Sequence, residues 1–326
     1  MTDGVLLAGE PMGLLIAGEA GSLDRVESFH TAVAGAEFNV AVGLRRLGHR
    51  VAYLTRLGDD PFGYRIRRAL RQEGIPLDGV RMTAEHPTGL MLKSKTAQGD
   101  PDIFYYRRGS AASFFGPEDV ESVPFDGFWA LHLTGIFPAL SPHTREAAFA
   151  LLRKAKKQSG TVFFDPNIRP SLWKSREEMR ETLLAFVREA DVVMPGLAEG
   201  RMLTGEAAPE DIARVLLDQG AGTVIVKLGA KGAYAATGTA HFTCPGYAVE
   251  TIVDTVGAGD GFAAGVISAL GEGLSLPQAV RRGNAVGAIQ LGFSGDNEGL
   301  PDREALGRFQ ADHEVQGKAE GHDRFF

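Results

Sequence analysis

Short apolar runs alternate with amphipathic stretches along most of the chain. GVLLAG (4–9) predicts a buried strand. GAEFNVAVGLRRLG (35–48) predicts a helix, with Phe38, Ala41, Val42 and Leu44 on one face and a glycine at the stop. VAYLTRLG (51–58) predicts a strand and FGYRIRRALRQEG (62–74) a helix. The pattern resumes with strands at WALHLTGI (129–136), TVFFDPN (161–167), VVMPG (192–196) and TVIVKLG (223–229). Helical stretches lie near 142–158, 176–189 and 209–219. Strands that are apolar throughout, alternating with helices, predict an α/β fold with a mostly parallel central sheet covered on both faces.

The rhythm breaks once. TGLMLKSKT (88–96) and PDIFYYRRGS (101–110) read as two strands joined by the polar turn AQGD, with no helix between them. With MGLLIAGE (12–19) and VESFHTAVAG (26–35) they predict a small separate β-sheet, a lid or a platform for a partner. Phe29, Phe104 and Tyr105 would give that sheet apolar surface for a second copy, so a homodimer through the lids is expected. Residues 1–311 read as one domain and 312–326 as a polar tail, whose two phenylalanines are either a frayed end or a docking element.

The 326 residues suit one large domain with an appendage, and 42 glycines suit many strand-to-helix turns. A net charge of -7 provides no overall basic surface for nucleic acid. The single cysteine, Cys244, forms no internal disulfide. The first residues lack a basic start, and their apolar runs are broken by Gly, Glu and Pro, so neither a signal peptide nor a membrane segment is expected and the cytoplasm is the default.

DTVGAGDGF (254–262) holds the candidate chemistry. Glycines at 257 and 259 free the backbone to turn its N–H groups toward one point at the start of an apolar helix, which makes an anion site. A carboxylate there would repel phosphate, but it suits a base taking a proton from a hydroxyl that attacks phosphate. The alternative is that Asp260 is a helix N-cap. No G-x-x-x-x-G-K-[ST] is present, and Phe262 stands where a dinucleotide fingerprint needs its third glycine.

DTVGAGDGFAAG (254–265) resembles the C-terminal signature of the PfkB family of ribokinase-like sugar kinases. AGAEFNVAVGLRRLG (34–48) and RLGDDPFG (56–63) resemble the family's N-terminal signature, in the right order. The resemblance runs to about Pro301 and implies a ribokinase-like three-layer α/β/α fold with a β-sheet lid. It implies Asp260 as catalytic base and an anion hole at Gly257, Ala258 and Gly259. ATP with Mg²⁺ is the implied cofactor, with no dedicated metal residues, and a monovalent cation such as K⁺ supporting the turn is left open. KLGAKGA (227–233) resembles the nucleotide strand and turn, with Lys227, Gly229 and Gly232. That glycine pair could equally mark a hairpin. Asn284 resembles an adenine-side asparagine, or is a polar residue at a partly open helix position. Gly261, where many members carry alanine, removes only a methyl group.

Two arginines bear on the substrate. Arg107 in FYYRRGSAAS and Arg169 in FDPNIRPSLW would lie near the carboxyl ends of strands, where open parallel sheets bind ligands. An arginine fork suits a carboxylate. Strand alternation allows only one of Arg107 and Arg108 to face the site, and Arg107 shares its face with Tyr105. Arg107 or Arg108 could instead lie on the solvated face of a lid strand, and Arg169 could be an intramolecular partner of a helix end. Within the family the combination resembles the 2-keto-3-deoxygluconate kinases, which implies substrate contacts at Gly35, Asn39, Tyr105, Arg107, Arg169 and Asp296, the last in a closing loop GDNEGLP (295–301). Met91 stands where some of these kinases have tyrosine. The expected activity is ATP-dependent phosphorylation of a terminal hydroxyl on the sugar acid. A kinase of fructose or another neutral substrate is the rival, and a non-catalytic sensor on the same fold is an alternative of another class.

Overall fold

The computed structural model describes residues 4–95, 101–121, 123 and 125–320. The first half contains β1 (Gly4–Ala8), β2 (Met12–Ala20), β3 (Phe29–Ala34), α1 (Ala36–Arg46), β4 (Arg50–Gly58), α2 (Pro61–Gln72), β5 (Val80–Thr83), β6 (Leu90–Lys95), β7 (Ile103–Tyr106) and α3 (Pro117–Glu121). There follow β8 (Phe128–Thr134), α4 (Pro142–Lys157), β9 (Thr161–Asp165), α5 (Arg176–Val187), β10 (Val192–Val193), α6 (Leu197–Thr204), α7 (Pro209–Asp218) and β11 (Thr223–Lys227). The last elements are β12 (Ala233–Thr237), β13 (His241–Cys244), α8 (Ala258–Gly271), α9 (Leu276–Gln290) and α10 (Arg303–Glu320).

Nine strands form one sheet in the order β13-β12-β11-β10-β9-β8-β1-β4-β5. It is parallel from β5 to β11 and antiparallel only at β12 and β13. Strand alternation supplies both cores. Val5 and Leu7 of β1 enter one cluster with Phe38, Ile66, Val266 and Val286 from α1, α2, α8 and α9. Leu6 and Ala8 enter the other with Leu151, Leu183 and Ile212 from α4, α5 and α7. The chain first builds outward from β1 to β4 and β5, then returns to β8 on the other side. That reversal opens a crevice beyond the carboxyl ends of β1 and β8.

The four remaining strands form a second sheet, β3-β2-β6-β7, with its own small apolar cluster of Met12, Leu14, Ala34 and Met91. The lid expected from sequence is therefore present, though β3 starts at Phe29 and β7 ends at Tyr106. The AQGD turn lies outside the described residues. Strand β9 also stops earlier than its apolar pattern, because Pro166 cannot donate to the ladder and Asn167 takes φ 37. Helix α10 continues to Glu320, where the polar composition had predicted a tail from 312; the two final phenylalanines lie outside the described residues.

Helices α8 and α9 cross at glycines. A Cβ on Gly265 would stand 2.8 Å from the Gly283 Cα and 2.9 Å from the Arg282 carbonyl oxygen, both backbone atoms. Gly265→Ala is therefore expected to destabilise the protein by about 1–3 kcal/mol, although alanine is the better helix former. Urea unfolding of the two proteins checks this, and an unchanged or higher midpoint would contradict the close crossing.

Candidate active site

The crevice at the sheet reversal is a cleft of about 550 Å³ between the main sheet and the lid. Its floor is the start of α8. Gly257 is the helix N-cap at φ 82, a conformation glycine adopts without penalty. A side chain there would also meet the Asp296 carbonyl oxygen at 1.9 Å. The first-turn N–H groups that follow have no helical carbonyl to receive them. Gly259 and Asp260, in that turn, both line the cleft.

Asp260 is not an N-cap, since Gly257 holds that position. The Asp260 carboxylate is 9% exposed, and residues distant in sequence surround it. Asn39 of α1 donates its side-chain amide to Oδ2 at 2.7 Å. Asn167 donates to Oδ1 at 3.4 Å, held in place by its left-handed backbone just past β9. Burial pushes the Asp260 pKa up from 3.8 to about 8; the Asn39 bond opposes this, Asp165 adds to it, and Lys227 and Arg169 oppose it. Lys227, at the end of β11, pairs with Asp165 at 2.5 Å, and its Nζ lies 3.7 Å from where a Gly259 Cβ would be. Burial disfavours the Lys227 charge, but Asp165 and Glu199 outweigh that effect and hold its pKa above the ordinary value.

The expected substrate residues meet in the same cleft. Gly35, Asn39, Tyr105, Arg107, Arg169 and Asp296 all line the cleft, together with Met91. Arg108 is exposed and Arg107 buried, but both lie past the end of β7, so strand alternation does not account for the difference. The expected Arg107 fork needs correction, however. Its Nε donates to Glu10 Oε2 at 2.6 Å, its Nη2 pairs with the same carboxylate, and Glu10 is 1% exposed. Ser110 donates to the other Glu10 oxygen, and the guanidinium lies 5.4 Å from the Tyr105 ring centroid. Arg107 is thus already committed to an internal carboxylate. No carboxylate among the described residues is ion-paired with Arg169, whose Nη1 donates to the Ile168 carbonyl at 3.1 Å.

The nucleotide-side expectations divide. Lys227 and Gly229 line the cleft. β11 and β12 do form a hairpin across this turn, so the glycine pair serves a hairpin whatever else it does. Gly232 packs against the Cys244 carbonyl and the Gly246 amide instead of the cleft. Asn284 donates to the carbonyls of Pro245 at 3.1 Å and Cys244 at 3.4 Å, which anchors the segment leaving β13. Ala258 does not line the cleft with its neighbours.

Several residues of the wall and of the shell behind it carried no sequence signature. Glu37, 1% exposed, accepts from Thr134 at 2.6 Å, and burial raises its pKa to about 7 against that bond. Glu199 accepts the amides of Gly196 at 2.6 Å and Ile168 at 2.9 Å and so locks two cleft loops together. Asn297 donates to Asn39 Oδ1 at 2.9 Å, which orients the amide that holds Asp260. Lys93 of the lid contacts both Asp254 and Asp296. Apart from Gly196, three residues before Glu199, these partners are far apart in sequence, so no local motif marks them.

A buried carboxylate beside a glycine turn, placed at the reversal point of a parallel sheet, is the arrangement of a phosphotransferase with a hydroxyl acceptor on a ribokinase-like fold. The chain belongs to the pfkB family of carbohydrate kinases, whose model matches residues 6–303. It is 46% identical over 302 residues to 2-dehydro-3-deoxygluconokinase of Bacillus subtilis (strain 168), covering 92% of this chain and 93% of that one. A PfkB protein of known structure from Polaromonas sp. JS666 is 43% identical, with a TM-score of 0.86 over 94% of this chain and 99% of that one. A double mutant of fructokinase from Vibrio cholerae O395, solved with fructose, ADP and potassium ion bound, is 29% identical, with a TM-score of 0.84 over 94% and 98%.

The raised pKa of Asp260 has a stability consequence. Between pH 3.8 and about 8 the unfolded chain has released a proton that the native carboxyl still holds, so native stability falls as pH rises through that window. Asp260→Asn keeps the shape and removes the charge. The variant is expected to melt about 2 °C or more above the native protein at pH 8. The gap should widen from pH 4 to pH 8 and stay level above it. Melting curves across that range check this, and a variant that melts lower at pH 8 would count against a strained carboxylate.

Proposed function

We propose that the protein is an ATP-dependent 2-keto-3-deoxygluconate kinase that phosphorylates the terminal hydroxyl of the sugar acid. The observation that carries the substrate choice is Arg169, a cleft-wall guanidinium without a carboxylate partner among the described residues. A sugar carboxylate would complete it, whereas a neutral sugar would leave it unmatched. The likeness to the Bacillus subtilis enzyme supports the same choice. Arg107, already on Glu10, serves as a positioned donor stiffened by its partner and not as a second full fork. Gly35, Asn39, Tyr105 and Asp296 complete the sugar pocket.

In the reaction Asp260 takes the proton from the attacking hydroxyl, and the transferring phosphoryl group sits on the turn at Gly257, Ala258 and Gly259. Lys227 adds positive charge at the same place, and Gly229 lets the nucleotide approach the end of β11. Gly232 and Asn284 act indirectly by shaping the loop after β13. Mg²⁺ would arrive on the nucleotide's phosphates with most of its waters, an arrangement that needs no protein cage. Potassium has no place in this reading: the carboxylates flanking the turn, Asp254 and Asp296, hold a lysine ammonium.

No helix among the described residues is long and apolar enough to cross a membrane. We take the cytoplasm as the compartment and residues 1–311 as the kinase domain. A homodimer through the lids is supported by Phe104 and Tyr106, which are 57% and 65% exposed on a strand that would otherwise leave both rings in water.

The deciding assay is ADP release with Mg·ATP on 2-keto-3-deoxygluconate, fructose and ribose. Preference for the acid is expected, and preference for fructose would replace the substrate while leaving the kinase chemistry. Arg169→Gln should reduce kcat/KM for the acid by about 1.5–3 kcal/mol, the worth of a charged hydrogen bond, with no comparable loss on fructose. Asp260→Asn should lower kcat by about 10²–10⁴. Full activity in that variant would remove Asp260 from the chemistry. Phe104→Glu should turn a dimeric mass in light scattering into a monomeric one; a native protein that is monomeric at micromolar concentration would dispose of the lid interface.

A further inference from the structure

Lys93 projects from lid strand β6 into the main domain, and its side chain is 3% exposed. Its ammonium contacts Asp254 Oδ2 at 2.5 Å and Asp296 Oδ1 at 3.1 Å, and both carboxylates are themselves buried. Burial disfavours the lysine charge, but the two carboxylates outweigh that effect and hold the group protonated. Burial also raises the Asp296 pKa to about 6, against the pull of Lys93.

The two carboxylates belong to the two segments that shape the glycine turn. Asp254 accepts the Val256 amide at 3.1 Å through Oδ1 and the Gly295 amide at 3.2 Å through Oδ2, so it ties the entry to the turn to the loop behind it. The Asp296 carbonyl packs directly against Gly257. The neighbouring Asn297 bonds Asn39, which bonds Asp260. Without a cation, two buried carboxylates would sit behind a turn built to receive negative charge, repelling each other and opposing that charge.

We propose that Lys93 is a positioning residue, a resident ammonium ion from the lid that holds the phosphate-binding turn in shape and makes it independent of added monovalent cations. The lid and the anion site are thereby one mechanical unit. A lid strand that shifts would carry the ammonium with it and release both segments of the turn. The proposal rests on the kinase reading for its activity measurement, but its second readout does not.

The test compares the native protein, Lys93→Ala and Lys93→Met in KCl, NH₄Cl and tetramethylammonium chloride at one ionic strength. Turnover of Mg·ATP with the sugar acid and the melting temperature are both followed. The native protein is expected to show the same kcat and the same melting temperature in all three salts. Lys93→Ala, which leaves room for a small cation, should lose about tenfold or more in kcat, less than the 10²–10³ of deleting an oxyanion donor itself. NH₄⁺ or K⁺ should restore several-fold of that loss and raise the variant's melting temperature, whereas tetramethylammonium should do neither. Lys93→Met, which fills the space, should lose activity and recover in no salt. Severalfold activation of the native protein by K⁺ would overturn the proposal, as would native kcat in Lys93→Ala. A loss in Lys93→Ala that no small cation reverses, with a cooperative melt, would also overturn it and leave Lys93 a packing residue. If the native protein turns over no sugar in any salt, the kinase reading fails, and the melting temperatures still decide the role of Lys93.

Discussion

A carboxylate buried at the first turn of a helix must be held there by something. Asp260 is desolvated, close to Asp165, and pushed far above the ordinary carboxylate range. Its compensation comes from elements that meet only once the sheet has reversed direction: Asn39 from α1, Asn167 from the end of β9, and the charges of Lys227 and Arg169. The nine-stranded sheet can be understood as the frame that delivers these groups to one point. For the proposed reaction a base near neutrality is also useful, because it is partly ionised at working pH yet still binds a proton firmly. The strain that weakens the fold and the basicity proposed for the chemistry have the same cause.

The rest of the cleft follows a related rule. Most of its fixed charges are paired within the protein: Lys227 with Asp165, Arg107 with Glu10, and Lys93 with Asp254 and Asp296. Glu199 is satisfied by two backbone amides, and Glu37 by a threonine. Paired groups hold position because removing one leaves the other buried and unmatched. Arg169, whose side chain among the described residues bonds a backbone carbonyl and no carboxylate, is the exception on which the proposed substrate choice rests. In that reading the site discriminates by what the incoming molecule completes.

Much of this was legible in the sequence, and the parts that were share a property. The βα alternation, the lid strands and the GAGD turn are local patterns, each written within one short continuous stretch, and the structure reproduces them with boundary shifts of a few residues. β5, β12, β13 and α6 carry no such local pattern, because they are short and their burial depends on neighbours. The sequence placed Asp260, Asn39, Arg107 and Arg169 on the cleft, but it did not reveal the internal partner of Arg107. Nothing near Arg107 announces Glu10, which is 97 residues away. Lys93 lies 161 and 203 residues from its two carboxylates.

Those long separations also bear on how the lid works. A lid attached only by its own strands would be free to open without consequence for the site beneath it. Here β6 contributes Lys93 to the loops around the glycine turn, and the segment leaving β7 contributes Arg107 to Glu10, just beyond β1. Both ties are buried ion pairs, so both are expensive to break singly and re-form without ambiguity. The small sheet and the crevice thus share their charges as well as their surface. Closure over a substrate then need not be a separate event from ordering the anion site, because the same ammonium belongs to both.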